Sequence, residues 1–320
     1  MKKVHRVSCV GSGLIGMGWA SVFSAGGLDV TIFDVKEGVA EKAIPVIGRT
    51  ADFVLKNGLS PAESLGSVTA AQTLEEAVSG CEYVQESIFE SLPAKRKVFK
   101  EISALNPNAV IASSTSSLSI SKIQTRAKDP SRCLAVHPLN PVYIMPVVEV
   151  VGGKMTSPET LTMARELMTR IGKVPVSLNF EVPGHVIDRL QAALWREALD
   201  LLNRGVADAA DIDKAVASGL GPRWATMGPY LRAHLAGGEG GLRYYLEHIE
   251  PSHYQIWKDM RAWKHAPTKA KRKAVDSVPS LTSGLSYDEL VARRDKILLR
   301  MIRDAKSSTP LPQHDSAVRQ

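Results

Sequence analysis

The sequence has few cysteines and no long apolar run. Only Cys9, Cys81 and Cys133 occur in 320 residues. Three scattered cysteines are too few for a disulfide framework or a four-ligand zinc site, so we expect buried thiols and no metal. No stretch of ~18 apolar residues could span a bilayer, and the start resembles a strand rather than a signal peptide. We therefore expect a cytoplasmic protein with no membrane partner.

Positive charge is concentrated in one segment instead of being spread along the chain. The 40 lysines and arginines exceed the 33 aspartates and glutamates by seven. Residues 258–273 contain seven basic side chains and one acidic side chain, which accounts for six of that excess. Nothing near this segment resembles a nucleic-acid-binding signature. We interpret it as a solvated face and predict no nucleic-acid partner.

Strand-like and helical patterns alternate over the first 180 residues. Apolar, β-branched runs occur at 7–10, 30–33, 83–86, 110–112, 134–136 and 147–151. Helical patterns separate several of these runs, and the alternation predicts an α/β fold with a parallel, doubly wound sheet. A capping-box spacing at 156–159 precedes a predicted helix at 160–171, and the run 174–176 predicts a final edge strand.

The pattern changes near residue 184, which divides the chain into two predicted domains, 1–183 and 184–320. A Val-Pro-Gly break at 182–184 precedes apolar residues that recur with helical spacing from 185 to 203, and Gly205 is placed to end that helix. Beyond it we predict helices and turns without strands, and a disordered tail after about residue 306. The apolar face of the 185–203 helix is too long for a small domain to cover, which predicts a homodimer.

A glycine-rich turn follows the first predicted strand and opens a helix predicted from Met17 to Ala25. Gly11 permits a tight turn, Gly13 allows a pyrophosphate to approach, and Gly16 allows close packing of helix on strand. The predicted cofactor-binding residues of this turn are Gly11, Gly13, Leu14, Ile15 and Gly16. Asp34 ends the second predicted strand, where a carboxylate accepts hydrogen bonds from the adenine ribose and repels a 2′-phosphate. The pattern predicts NAD, and the alternative is a structural turn with a solvated aspartate.

A histidine and a glutamate stand out among the later strand patterns. His137 follows the run 134–136, and ligands of a doubly wound sheet bind beyond the carboxyl ends of its strands. Glu149 lies within the apolar run 147–151, where a buried carboxylate needs a partner. An imidazole is a natural partner, and a His–Glu pair can take the proton of a secondary alcohol while hydride leaves. Taken alone, a single histidine is more often a structural residue, and it is Glu149 that shifts the balance towards catalysis.

Together these motifs resemble the 3-hydroxyacyl-CoA dehydrogenase superfamily from residue 4 to about 300. The segments that carry the resemblance are the glycine fingerprint, 112–118, 137–141, 147–149 and 182–189. The resemblance implies a Rossmann domain that binds NAD, followed by a helical domain for substrate binding and dimerisation. It also implies that His137 and Glu149 are the catalytic pair, and that Ser116 and Asn140 contact substrate and support the base. By the same matching, Glu90 and Lys95 should lie beside the cofactor.

One position departs from the acyl-CoA enzymes, which carry asparagine where this chain has Asp188. The second half is similar to the L-carnitine dehydrogenase branch at 193–199, 223–224, 227–228 and 234–238. Lambda-crystallin, which resembles an L-gulonate dehydrogenase, is a more distant relative. This resemblance implies oxidation of the 3-hydroxyl of a small 3-hydroxy acid. Carnitine carries a quaternary ammonium, which aromatic faces and carboxylates bind, so we predict substrate contacts from Asp188, Trp195 and Trp224.

Three alternatives remain open at this stage. The same chemistry could act on gulonate or another small hydroxy acid. It could also act on a hydroxyacyl-CoA, for which the basic segment 258–273 would bind the CoA phosphates. The third alternative is a structural or binding protein that has kept the fold, as lens crystallins have. The joint presence of His137, Glu149, Ser116 and Asn140 argues against that last alternative.

Overall fold

The computed structural model describes residues 4–307, and side chains as far as residue 305. The tail predicted to be disordered therefore lies outside the described residues, apart from Ser307. Contacts divide the chain into two units, Met1–Arg189 and Leu190–Gln320. The domain boundary predicted at 183/184 lies close to this division and remains a prediction.

The first unit contains one sheet of eight strands in the order β3-β2-β1-β4-β5-β6-β7-β8. The strands are β1 (Arg6–Val10), β2 (Asp29–Phe33), β3 (Val68–Ala70), β4 (Tyr83–Glu86), β5 (Val110–Ser113), β6 (Cys133–Pro138), β7 (Val147–Gly152) and β8 (Val174–Ser177). The Rossmann-like sheet predicted from the alternating pattern is confirmed. Only the edge strand β3 was not predicted, because three half-exposed residues are too few to show a period.

One strand pair departs from the parallel arrangement that we predicted. β6 and β7 pair antiparallel, whereas the other neighbouring strands are parallel. Only residues 139–146 connect them, which is too short for the crossover that a parallel pair requires. The antiparallel register places His137 directly opposite Glu149. The short connection therefore brings His137 and Glu149 together. The sequence suggested this pair only because a buried carboxylate needs a partner.

Helices cover both faces of this sheet. They are α1 (Leu14–Ala25), α2 (Val39–Lys56), α3 (Leu74–Val78), α4 (Leu92–Leu105), α5 (Ile120–Ile123) and α6 (Pro158–Arg170). Helix α1 begins at Leu14, three residues before the predicted start at Met17, because Gly13 has extended geometry and forms its N-cap. Leu14, Ile15 and Gly16 therefore form the first helical turn rather than part of the preceding loop.

Apolar side chains fill the space between the sheet and each helical layer. One cluster includes Trp19, Phe23 and Tyr83, and another includes Phe99 and Ile102. The three cysteines are free and buried as predicted, and burial raises the pKa of the Cys81 and Cys133 thiols to about 12. Within residues 4–307, no cluster of histidine, cysteine and acidic side chains is arranged to hold a metal ion.

The second unit is helical, as predicted, and has no strand among its described residues 190–307. Helix α7 (Ile187–Arg204) begins at the end of the first unit and ends at Gly205, which has a positive φ of 75°. The later helices are α8 (Ala209–Ala215), α9 (Gly221–Thr226), α10 (Pro229–Ala236), α11 (Gly241–Tyr244), α12 (His253–Asp259), α13 (Thr268–Asp276), α14 (Val278–Thr282) and α15 (Tyr287–Ser307). Every helix within residues 4–307 is too short or too polar to cross a bilayer.

One lysine of the basic segment has a structural role that the sequence did not reveal. The Lys273 ammonium donates hydrogen bonds to the carbonyl oxygens of Leu202, at 3.1 Å, and Asn203, at 3.2 Å. These carbonyls belong to the last turn of α7, where helical carbonyls have no partner within the helix and the helix dipole is negative. Lys273 therefore caps the carboxyl end of α7.

Candidate active site

The glycine fingerprint forms a turn that side chains would block. Gly11 has φ 101°, and a Cβ at this position would lie 2.7 Å from the carbonyl oxygen of Ser87. A Cβ at Gly16 would lie 1.8 Å from the carbonyl oxygen of Gly11. These glycines allow the first turn of α1 to pack against the end of β1. The N–H groups of this turn have no partner within the helix and suit a pyrophosphate.

Asp34 follows β2 and is held beside the glycine turn. One of its carboxylate oxygens accepts hydrogen bonds from the Ser12 backbone N–H, at 2.9 Å, and the Ser12 hydroxyl, at 2.8 Å. The other accepts from the backbone N–H of Lys36 at 3.0 Å. Partial burial opposes ionisation, but these hydrogen bonds and the Lys36 charge lower the pKa of Asp34. The ionised carboxylate retains lone pairs for ribose hydroxyls, so this part of the chain fits NAD.

Glu90 and Lys95 belong to an ion-pair network after β4, in which Lys95 and Glu86 are buried and Glu90 is exposed. The Lys95 side chain is only 1% exposed, and its ammonium lies 2.7 Å from a carboxylate oxygen of Glu86 and 3.5 Å from one of Glu90. Glu90 also accepts hydrogen bonds from the hydroxyls of Thr115 and Ser117. Sequence reasoning missed Glu86, whose only signal was a carboxylate at the end of a strand. The Lys95 ammonium is enclosed and lies beside both carboxylates, so it fixes the loop that carries Glu90.

His137 and Glu149 meet across the antiparallel pair β6 and β7. Nδ1 of His137 lies 2.8 Å from a carboxylate oxygen of Glu149, and both residues are buried. The other Glu149 oxygen accepts hydrogen bonds from the backbone N–H groups of Val186, at 2.7 Å, and Ile187, at 3.0 Å. Burial would raise the pKa of Glu149, but the hydrogen bonds from His137, Ile187 and Val186 outweigh it and lower the pKa.

This arrangement determines the tautomer of neutral His137. An ionised carboxylate only accepts hydrogen bonds, so Nδ1 of His137 must carry the proton that it shares with Glu149. Nε2 is then left with a free lone pair and can act as a base. The carboxylate of Asp188, in the first turn of α7, lies 3.9 Å from this Nε2. Its side chain is 33% exposed.

His185 is a neighbour of His137 that sequence reasoning treated only as the start of a helix. Its backbone has φ 47°, which is rare for a residue other than glycine, and its side chain is buried. Its Nε2 lies 3.1 Å from the carbonyl oxygen of Thr115, and its ring centroid lies 5.5 Å from that of His137. The adjacent Gly184 N–H donates to the carbonyl oxygen of Ser116 at 2.8 Å. The 184–185 turn thereby holds the Ser116 loop beside His137.

The remaining predicted site residues lie at the surface or near it. Ser116 is half-buried in the loop after β5, and Asn140 is exposed in the connection between β6 and β7. Neither side chain has a hydrogen-bond partner among the described residues. Trp195 on α7 is 58% exposed and Trp224 on α9 is 46% exposed, so both indole faces are open in the second unit.

The sequence matches the NAD-binding domain of 3-hydroxyacyl-CoA dehydrogenase over residues 6–181. It matches the C-terminal domain of the same enzymes over residues 184–277. The chain belongs to the 3-hydroxyacyl-CoA dehydrogenase family. Like the characterised members of this family, it is an NAD-dependent oxidoreductase.

Curated relatives within this family include L-carnitine dehydrogenases. The enzyme of Streptomyces griseus is 40% identical over 305 residues, which cover 94% of this chain and 90% of the relative. The enzyme of Bacillus cereus is 39% identical over 301 residues, which cover 94% of this chain and 92% of the relative. Both alignments extend through the two units.

Solved structures of the family have the same architecture. An NAD⁺-dependent dismutase, 5-formyl-3-hydroxy-2-methylpyridine 4-carboxylic acid 5-dehydrogenase, is 28% identical with a TM-score of 0.82, covering 96% of this chain and 100% of that one. A 3-hydroxyacyl-CoA dehydrogenase of Archaeoglobus fulgidus is 26% identical with a TM-score of 0.62, covering 87% of this chain and 98% of that one.

Proposed function

We propose that this 3-hydroxyacyl-CoA dehydrogenase family member oxidises the 3-hydroxyl of L-carnitine to give 3-dehydrocarnitine. The proposal rests on the short distance between Asp188 and the free nitrogen of His137. Its second support is the identity of about 40% to L-carnitine dehydrogenases over nearly the whole chain. The glycine turn and Asp34 hold the cofactor, and bound NAD supplies the hydride acceptor.

His137 is the proposed general base. Its unprotonated Nε2 takes the proton of the substrate hydroxyl while the hydrogen on the same carbon leaves as hydride. The product side of this step is an imidazolium, which Glu149 stabilises through the hydrogen bond to Nδ1. Glu149 can remain ionised because Val186 and Ile187 donate to its second oxygen. Ser116 and Asn140 are proposed to contact the substrate and support the base.

Asp188 is the proposed source of preference for a cationic substrate. In carnitine, the carbon next to the reacting carbon carries the trimethylammonium group. A hydroxyl that donates to His137 Nε2 therefore brings the ammonium close to a carboxylate only 3.9 Å from that nitrogen. The attraction is electrostatic, because a quaternary ammonium donates no hydrogen bond. An asparagine at this position, as in the acyl-CoA enzymes, would supply no net charge.

Trp195 and Trp224 are proposed as aromatic substrate-binding surfaces of the second unit. Each has a large exposed area, which is unusual for tryptophan and leaves a ring face available. A trimethylammonium gains ~0.5 to 2 kcal/mol from a well-placed aromatic face. This part of the proposal depends on exposure and on the resemblance, and substitution of each tryptophan tests it separately.

The competing substrates differ from carnitine in the charge that they would need from the protein. L-gulonate has no cation for this carboxylate to attract. A hydroxyacyl-CoA requires positive charge for its phosphates, and Lys273, one of the seven basic residues of 258–273, is already used to cap α7. A non-catalytic role would leave the free Nε2 of His137 and the hydrogen-bonded Glu149 without a purpose.

A direct assay with NAD separates these possibilities. We expect NADH absorbance to appear with L-carnitine at a higher kcat/KM than with L-gulonate, 3-hydroxybutyrate or 3-hydroxybutyryl-CoA. Turnover of L-gulonate or the CoA ester without turnover of L-carnitine would refute the carnitine assignment and leave the family chemistry in place. Absence of NADH with every substrate, in protein that binds NAD, would favour the non-catalytic alternative.

The second unit is proposed to form a homodimer. Helix α7 carries Leu190, which is 60% exposed, and Val206, just beyond the end of α7, is 61% exposed. Exposed apolar side chains along a long helix are typical of a surface that another copy covers. Sedimentation at micromolar concentration should give twice the mass of the 34.6 kDa chain, and a monomer would contradict the proposal.

A further inference from the structure

A network of polar side chains lies at the carboxyl edge of the sheet and ends at Ser87. The indole Nε1 of Trp19 lies 3.2 Å from the hydroxyl oxygen of Ser114, and Nε2 of Gln85 lies 2.8 Å from the same oxygen. This oxygen also lies 2.8 Å from the hydroxyl oxygen of Ser87. Trp19 and Gln85 are fully buried. The network therefore joins α1 and β4 to the loops that follow β4 and β5.

The direction of each hydrogen bond that reaches Ser114 follows from the groups involved. Nε2 of Gln85 also lies 3.2 Å from the carbonyl oxygen of Val136, which can only accept, so the two amide protons go to Val136 and Ser114. The amide oxygen of Gln85 then accepts from the Tyr83 hydroxyl at 2.9 Å. An indole nitrogen only donates, so Trp19 supplies a second proton to the Ser114 oxygen.

These bonds determine which way the Ser87 hydroxyl points. A hydroxyl has two lone pairs and one proton. Trp19 and Gln85 fill both lone pairs of Ser114, so the Ser114 proton must go to the oxygen of Ser87. The proton of Ser87 cannot point back along the same bond, and its hydroxyl has no other partner among the residues that the structure describes. Ser87 is therefore prepared to donate to an acceptor from outside the protein.

Ser87 lies beside the glycine turn, on the side away from Asp34. It is half-buried after β4, and a Cβ on Gly16 would lie 3.5 Å from the Cβ of Ser87. In the sheet, β1 lies between β2, which Asp34 follows, and β4, and beyond β4 come β5 and β6, which carries His137. A dinucleotide with its adenine ribose at Asp34 and its pyrophosphate on the glycine turn therefore extends its second ribose towards the end of β4.

We propose that Ser87 binds the nicotinamide-side ribose of NAD by donating its hydroxyl proton to a ribose oxygen. The N–H groups of the first turn of α1 already suit the pyrophosphate, whereas a ribose oxygen needs a single neutral donor of this kind. The network behind Ser87 orients the hydroxyl before the cofactor binds, which lowers the cost of ordering it. This role concerns the cofactor and applies whichever 3-hydroxy acid is the substrate.

Fragments of the cofactor test which part of it Ser87 contacts. ADP-ribose contains both riboses, whereas ADP ends at the pyrophosphate. In Ser87→Ala, the dissociation constant of ADP-ribose, measured by calorimetric titration of the whole protein, should rise about fivefold, the scale of one neutral hydrogen bond. The dissociation constant of ADP should be unchanged. No 3-hydroxy acid is present, so the result is independent of the carnitine assignment.

Two outcomes of this titration would overturn the proposal. Unchanged binding of ADP-ribose to Ser87→Ala would mean that the hydroxyl donates only to solvent. An equal loss for ADP and ADP-ribose would place the contact at the pyrophosphate instead of the second ribose.

Further variants assign the effect to the directed network. Ser8→Ala is the matched control, because it removes from β1 a fully buried hydroxyl that has no hydrogen-bond partner among the described residues. It should leave both dissociation constants unchanged. Ser114→Ala should weaken ADP-ribose binding about threefold in the wild type, since the Ser87 hydroxyl loses its orientation. It should cause no further loss in Ser87→Ala, and additive losses would contradict a network that acts through Ser87.

Discussion

The Glu149 carboxylate lies opposite His137 in the sheet. It accepts hydrogen bonds both from Nδ1 of His137 and from the backbone N–H groups at the start of α7. One oxygen is 2.8 Å from His137 Nδ1, and the other accepts from Val186 and Ile187. The helix terminus therefore offsets the cost of burying the carboxylate, and the carboxylate sets the tautomer of the histidine. This relationship explains how a charge can be fully buried inside an otherwise apolar strand.

The first prediction concerns the base. His137→Gln removes the imidazole nitrogen proposed to take the hydroxyl proton, so it should lower kcat by at least ~100-fold. Binding of NAD, measured by fluorescence titration, should persist because the glycine turn is unchanged. Turnover near that of the wild type would remove His137 from the mechanism.

A second prediction uses the lowered pKa of Glu149. A carboxyl whose pKa is lower in the folded state adds stability above its unfolded-state pKa of ~4.3, and this stability is lost as the pH falls through the lower folded value. The difference in unfolding free energy between wild type and Glu149→Gln should therefore be largest near neutral pH and shrink below about pH 4. Urea unfolding at several pH values measures it. A difference that grew towards acid pH would contradict the sign.

The cofactor prediction depends on Asp34. Its ionised carboxylate repels a 2′-phosphate, so kcat/KM should be at least ~10-fold higher with NAD than with NADP. Asp34→Asn should lower this ratio, because it weakens the binding of NAD and removes the repulsion of the 2′-phosphate of NADP. Equal kcat/KM for the two cofactors in the wild type would show that Asp34 does not reach the ribose.

The substrate prediction compares ligands that differ in one cation. Asp188→Asn is nearly isosteric, so it should lower kcat/KM for L-carnitine about tenfold more than kcat/KM for 3-hydroxybutyrate, which lacks the ammonium. High salt should weaken carnitine binding to the wild type more than to the variant. Parallel losses for both substrates would mean that Asp188 acts on the shared hydroxyl alone.

The last prediction concerns stability. Lys273→Met removes two hydrogen bonds to the end of α7 and should lower the free energy of unfolding by ~1 to 2 kcal/mol. Lys271→Met removes an exposed charge from the same helix and serves as the matched control. Denaturant unfolding should separate the two variants. The same loss in both would show that the net charge, rather than the cap, is responsible.

The sequence by itself determined the features that depend on neighbouring residues. The glycine turn, the strand before it and Asp34 lie within a short stretch of the chain. The spacing of these residues is therefore enough to predict their arrangement. The alternating pattern predicted the sheet, and the helical period from 185 to 203 predicted α7. The cost of burying Glu149 even indicated that it should have a histidine as its partner.

Only the tertiary structure decided the features that join distant segments. It turned β7 antiparallel, because the connection after His137 is too short for a crossover, and it used the N–H groups of Val186 and Ile187 to hold Glu149. It placed Asp188 at the free nitrogen of His137 and gave Lys273 its role at the end of α7. A residue's type sets which bonds it can form, but folding decides which partners come within reach, and no local period records contacts between residues so far apart in the chain.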